Sequence, residues 1–256
     1  MTLPTPDATF HWTREVWGNA LRCRRLSAAT QHLFTSRQLP LPDVAAWQAA
    51  LVSAGSTPDR LMRVKQVHGN VVRILERGHV PADAGRQRPD GDALVSNEPG
   101  LALAVMVADC VPILLCDPVQ GAAAAIHAGW RGTCARVAPA AIAAMQRAFG
   151  THPGDLIAAI GPSVGPGDYQ VGESLIASFI DAGHSPADVD KWFIRRDGRL
   201  YLDLWTANRD QLSDAGVGAA GISLCALSTV SHPGIFDSYR VEGERAGRMA
   251  AIIVVP

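Results

Sequence analysis

Lysine is almost missing from this chain of 256 residues: Lys65 and Lys191 are the only two. Basic and acidic residues balance at 23 against 24. With no basic excess to displace counterions, a nucleic-acid partner is not expected. The heavy use of arginine suits phosphate and carboxylate ligands, although genome composition also produces it. Cysteines number five, an odd count, and none stands in a Cys-x-x-Cys. A secreted disulfide scaffold is thereby excluded. The eight histidines contain no His-x-His pair, which a cluster of several coppers usually uses. MTLPTPDATFHW lacks the basic and apolar regions of a signal peptide. The most apolar stretch, Leu101 to Cys116, is interrupted by Asp109 and Pro112. It is too short to span a bilayer. The expectation is a cytoplasmic protein with no membrane partner. GPSVGPG, residues 161–167, is a rigid turn and no P-loop, because no Gly-Lys-Ser/Thr follows.

What is present is a mixture of short strands and few long helices, with no internal repeat and no clear linker. Residues 1–15 are expected to be a mobile start, and 16–256 one catalytic domain. Gln31 to Arg37 reads as a strand. A helix with Asp43 as N-cap follows, to about Gly55. Arg63 to His68 alternates polar and apolar residues like a half-buried strand, closed by the Gly69-Asn70 turn. Residues 78–91 read as a loop. Strands are expected at Asp92 to Val95, Leu101 to Val107, Leu156 to Ile160, Ile222 to Thr229 and Met249 to Val255. Helices are expected at Thr133 to Phe149, 172–182 and 206–215. These elements favour one α+β domain with a mixed sheet.

The centre of the chain is residues 108–132, ADCVPILLCDPVQGAAAAIHAGWRG. Two apolar runs joined by Asp117-Pro118 and Gly121 read as neighbouring strands. Their ends can bring Cys110 and His127 together. A thiolate and an imidazole at a strand edge can bind zinc, or act as nucleophile and base. With His68 they make a His2Cys set, a catalytic zinc pattern with an open fourth position. Spacing alone leaves each residue a plainer reading. His68 can be a turn residue, Cys110 a small core residue, and His127 a half-buried histidine. Asp109 precedes Cys110, and Asp92 opens a strand. Arg131 sits between glycines that let backbone approach a ligand. Arg240 and Arg248 lie just before the last strand. For each arginine a surface salt bridge is the ordinary alternative.

Taken together and in order, several strings resemble the YfiH-like family, also labelled laccase domain or polyphenol oxidase. They are KQVHGNVV (65–72), DALVSNEPGLALAVMVADCVPILLCDP (92–118), AAIHAGWRGT (124–133), AAIGPSVGPGDYQVGESL (158–175), LDLWTANRDQL (202–212) and the SYR…GRMAAIIV tail. The likeness runs from about Gln31 to Val255. It implies a single domain of two mixed β-sheets packed face to face with helices outside. It also implies one shared metal, usually zinc, on His68, Cys110 and His127. The implied activity is purine nucleoside phosphorylase, with adenosine deaminase and methylthioadenosine phosphorylase as further activities. The partners would be a purine nucleoside and phosphate, on a monomer or homodimer. Thr35-Ser36-Arg37 stands for the usual Ser-Thr-Arg, Gln170 for a Glu, Ser228-Thr229 for a Cys-Thr pair and Arg240-Val241 for Arg-Arg. None of these departures touches the three ligands, but they bear on how purine and ribose are held.

Phosphorolysis needs an anion held near the anomeric carbon. Arg131, with Arg37, Arg240 and Arg248, are the candidate cations, and Asp92 and Asp109 further substrate-site candidates. The chain lacks the H-x-E…P-C-x-x-C signature of nucleobase zinc deaminases, so deaminase activity rests on the resemblance. A copper oxidase is one alternative, since copper outcompetes zinc at most N/S sites. A metal-free hydrolase with Cys110 as nucleophile and His127 as base is another. There Asp92 or Asp109 would orient the histidine.

Overall fold

The computed structural model describes residues 2–41, 43–78 and 88–256. Most of the loop expected at 78–91 lies outside the described residues, as does Pro42.

Alternation of side chains explains the layering. In strand Val111–Asp117, Val111, Ile113 and Leu115 face one apolar cluster, and Leu114 and Cys116 face another. Strand Ala102–Val107 divides in the same way: Leu103 and Val105 point inward, Ala102 and Ala104 outward. A strand buried on both faces must lie between two covers. Two six-stranded sheets supply the inner cover for each other. The first runs Phe10–Glu15, Gly18–Cys23, His32–Thr35, Met249–Val254, Ala102–Val107, Leu61–Arg63. The second runs Ile222–Leu224, Ile157–Ile160, Val111–Asp117, Ala122–Ala128, Ala93–Ser96, Val72–Leu75. Both are mixed: the first is antiparallel except at Leu61–Arg63, and the second has a parallel pair at each edge. Helix Val44–Ser53 covers the outside of the first sheet through Trp47, Ala50 and Leu51. Helices Val137–Phe149 and Leu204–Asp214 cover the second. The order is helix, sheet, sheet, helix, as the resemblance implies. A small third sheet, Gln170–Val171, Arg199–Leu202 and Phe193–Arg196, is added at the side.

Several expectations are corrected. The first 15 residues do not all form a loose start: Phe10–Glu15 pairs antiparallel with Gly18–Cys23 at the sheet edge. Phe10 is buried, with its ring 6.2 Å from Phe34, and Trp12 stacks on Phe236. That apolar anchorage holds the segment. The helix read from Thr133 begins only at Val137, because Arg136 sits in the left-handed region at φ 57° and interrupts it. The Arg136 guanidinium holds the carbonyls of Ala182 and Gly183, which fixes that break. Its preceding turn is a separate helix, Trp130–Cys134. The strand read at Arg63 to His68 keeps only Leu61–Arg63 and an isolated bridge at Lys65. The strand read to Thr229 stops at Leu224, with Ala226 at φ 54°. Among the described residues no helix is long and apolar enough to cross a membrane.

Candidate metal centre

Antiparallel pairing of Val111–Asp117 with Ala122–Ala128 sets Val111 opposite Ala128 and Pro112 opposite His127. Cys110, just before the first strand, therefore meets His127, near the end of the second. His68 arrives from the loop after Leu61–Arg63. One ligand atom from each of His68, Cys110 and His127 lies within 4.8 Å of the others. The two imidazoles meet edge to face, with centroids 4.9 Å apart. His127 is buried, Cys110 half-buried and His68 exposed, so the cluster opens on one side.

Asp92 organises two of the three. Its buried carboxylate accepts from His127 Nδ1 at 2.8 Å and from the His68 amide at 2.9 Å on Oδ1. On Oδ2 it accepts from the amides of Gly69 at 2.7 Å and Val67 at 3.3 Å. Three successive N–H groups thus wrap one anion. This holds His68 at φ 61°, a conformation that costs a non-glycine residue about 1–2 kcal/mol. Holding His127 by Nδ1 leaves Nε2 as the nitrogen available to the cluster. A carboxylate behind a ligand histidine is the usual support of a metal site.

In the metal-free cluster the charges of Cys110, His127 and Asp92 depend on one another. Burial would raise the Cys110 thiol, but hydrogen bonds with His127 and His68 outweigh it and lower its pKa to about 6. Burial would depress His127, but its bonds to Asp92 and Cys110 raise it to about 9. Burial also opposes ionisation of Asp92, yet the bonds from His127, Gly69 and His68 hold its carboxyl below the usual range. The metal-free pocket therefore favours a thiolate facing a His127 imidazolium; a metal would keep the thiolate and displace the imidazolium proton.

Both glycines of Gly-Trp-Arg-Gly lie at close approaches, Gly129 at the tighter one. A Cβ on Gly129 would sit 2.8 Å from Cys110 Sγ and 3.4 Å from His68 Cδ2. One on Gly132 would sit 3.1 Å from the Gly69 carbonyl. They let the ligand-bearing loops close on each other.

The cluster forms the floor of a cavity of about 970 Å³. Lys65, Arg88, Arg131, Arg240 and Arg248 line it, with aromatic walls from Trp130, Tyr169 and Tyr239. The Arg131 guanidinium lies 4.5 Å from the Trp130 ring centre, and that of Arg240 5.4 Å from Tyr169. Arg248 bonds the carbonyls of Ala246 and Gly247. Arg131, Arg240 and Arg248 make no ion pair among the described residues.

Three sequence candidates stand differently from expectation. Arg37 is not part of the lining: it pairs with Glu242 at 2.8 Å and Asp237 at 3.7 Å. Asp92 lies behind the histidines. Asp109 touches the cavity, but Thr229, Ser238 and the Arg240 amide occupy its carboxylate. Sequence reasoning gives no site role to Tyr169 or Tyr239, although the GDYQVG and SYR strings contain them; the glycines of the HAGWRG string it does single out.

The family described as multi-copper polyphenol oxidoreductase laccase matches residues 41–256. A purine nucleoside phosphorylase of Deinococcus radiodurans is 39% identical over 214 residues, covering 83% of this chain and 78% of that protein. The purine nucleoside phosphorylase YfiH of Escherichia coli is 33% identical over 207 residues, 79% of this chain and 77% of that one. The crystal structure of YlmD from Geobacillus stearothermophilus superposes with a TM-score of 0.83 at 27% identity, over 95% of this chain and 98% of that one. A Bacillus licheniformis YfiH structure gives 0.84 at 23% identity over 95% of this chain and 97% of that one, a likeness of fold. Motifs, fold and relatives converge: this chain belongs to the YfiH-like, laccase-domain family.

Proposed function

We propose that this chain is a zinc-dependent purine nucleoside phosphorylase working at His68, Cys110 and His127. The carrying observation is a soft three-donor cluster in a cavity lined by aromatic rings and by Arg131, Arg240 and Arg248, of which Arg248 feels the Asp237 carboxylate but none makes a close ion pair among the described residues. The donor set suits zinc: two imidazoles, one of them backed by Asp92, and a thiol held towards its ionised form. A zinc ion there would supply a Lewis acid.

The chain's own residues do the rest. Arg131, Arg240 and Arg248 bind phosphate by charge and by forked N–H donors. Trp130, Tyr169 and Tyr239 offer flat faces to a purine. Hydrogen phosphate held on the arginines attacks the anomeric carbon as the bond to the purine breaks; the purine nitrogen keeps the electron pair and takes up the proton that the phosphate gives up, giving ribose 1-phosphate and free base. Asp92 keeps His127 and His68 oriented throughout. The names of the relatives support this substrate class. Adenosine deamination and methylthioadenosine phosphorolysis are included in the proposal on the same family likeness.

Copper is the other ion the donors would accept. Against a multi-copper oxidase speaks the ligand supply: among the described residues one group of three donors is found, His68, Cys110 and His127. A metal-free hydrolase would leave His68 without a role. The test is metal analysis of protein purified without added metal, joined to a phosphate-dependent assay on a nucleoside panel and a phenol-oxidation assay. Zinc with phosphate-dependent release of purine is expected. Nucleoside cleavage that ignores phosphate, or phenol oxidation alone, would overturn the reading.

A further inference from the structure

Asp109 is a non-glycine residue at φ 82°, next to the ligand Cys110. Such backbone is costly unless its surroundings fix it. Its surroundings do so from both sides. The Asp109 carbonyl accepts from the Val164 amide at 2.9 Å. Its carboxylate leaves the sulfur-bearing turn and reaches a different part of the chain. Oδ1 accepts from the Thr229 hydroxyl at 2.5 Å. Oδ2 accepts from the Ser238 hydroxyl at 3.1 Å and the Arg240 amide at 2.6 Å. Thr229 and Ser238 are fully buried, and Asp109 nearly so.

Two of those donors, Ser238 and the Arg240 amide, stand at the N-terminus of the short helix Tyr239–Glu242, which Ser238 also caps by accepting from the Val241 amide. Tyr239 and Arg240 form one wall of the cavity, and Cys110 lies in its floor. Beyond Asp109, the wall residue Arg240 is tied to its surroundings by its contacts with Tyr169 and the Gln170 carbonyl. Phosphate cannot approach Asp109 favourably, since the charges are alike and three donors already face the carboxylate.

We propose that Asp109 is a positioning residue: its carboxylate latches the Tyr239–Arg240 wall to the turn that carries Cys110, and so sets where an anion rests relative to the cluster. The latch is made of hydrogen bonds, so a side chain that still accepts the Arg240 amide should serve. Asparagine can do this and also tolerates positive φ. Glycine relieves the backbone but has no acceptor. The two variants therefore separate latch from strain. That the resting anion is a reacting phosphate rests on the phosphorylase reading; the latch itself does not.

The test compares Asp109→Gly, Asp109→Asn, Ser238→Ala and Thr229→Val in the full chain. Hydrogen exchange at the amides of 238–242 reads the wall, and titration with inorganic phosphate reads anion binding. In Asp109→Gly, exchange at Arg240 should quicken about tenfold and phosphate binding weaken about tenfold, the value of one lost hydrogen bond. The apparent KM for phosphate should rise with kcat changed less. Asp109→Asn should restore both readouts to near wild type, and the two donor variants should fall between. If Asp109→Gly fails to fold, Ser238→Ala and Thr229→Val report on the same amides. Unchanged exchange at Arg240 in the glycine or donor variants, or an asparagine variant as damaged as glycine, would overturn the latch. A wild-type chain that cleaves no nucleoside would sink the phosphorylase reading while leaving the exchange result in force.

Discussion

Replacing Asp92 by asparagine changes one oxygen to an NH2 and leaves the shape intact, so its effect isolates acceptor count. The carboxylate faces four donors, two on each oxygen. An amide has one acceptor, so two donors must face an NH2. If the NH2 replaces Oδ1, His127 Nδ1 and the His68 amide lose their acceptor. His127 must then turn its proton to Nε2, which removes the lone pair a metal would use. If it replaces Oδ2, the Gly69 and Val67 amides are stranded, and the turn that presents His68 loosens. Each stranded donor costs about 1–3 kcal/mol, and the 3.3 Å bond from Val67 counts towards the low end. We expect about 2–4 kcal/mol lost from the metal-free protein, and a zinc affinity lower by about 10–100-fold. Urea unfolding of chelator-treated protein measures the first. Competition with a chromophoric chelator measures the second. An Asp92→Asn protein that holds zinc within about threefold of wild type would refute the claim that this carboxylate orients the ligands.

Four other outcomes are expected. Cys110→Ala should abolish turnover and lower metal content with the fold kept, whereas a metal-free hydrolase would lose turnover and keep whatever metal it carries; circular dichroism and metal analysis decide. Arg131→Ala should raise the KM for phosphate far more than that for nucleoside, and Arg131→Lys should restore the charge but not the fork; equal phosphate dependence in the mutant rules the role out. Gly129→Ala places a Cβ 2.8 Å from Cys110 Sγ and should cost about tenfold or more in zinc affinity, read by the same chelator competition. His32 is buried, and its Nε2 accepts from the Cys23 amide, so burial holds its pKa down at about 3 against 6.5 when unfolded. The unfolded chain then binds the extra proton between those values, so this stability is complete above about pH 6.5 and drains away as pH falls towards 3. By about pH 5 the loss is about 2 kcal/mol; urea midpoints that fall equally in His32→Gln would contradict it.

Residues 108–132 by themselves determine much of the site. Two apolar runs with a tight Asp-Pro…Gly connection can do little but pair antiparallel, and that register alone brings Cys110 to His127. Strand alternation likewise decides which side chains face inward. Local signals mislead where long-range contacts override them. Phe10 and Trp12 look like part of a loose start until Phe34 and Phe236 are seen beside them. Lys65 to His68 has strand alternation, yet Asp92, remote in sequence, bends it into a ligand-bearing turn. Arg37 reads as an anion binder by type, and Glu242 takes it away from the cavity. Asp109 and Asp92 read as equivalent acids beside a site. Only the tertiary structure gives one the two histidines and the other the Arg240 wall, because a carboxylate's role is set by which donors surround it, and those donors come from the whole length of the chain.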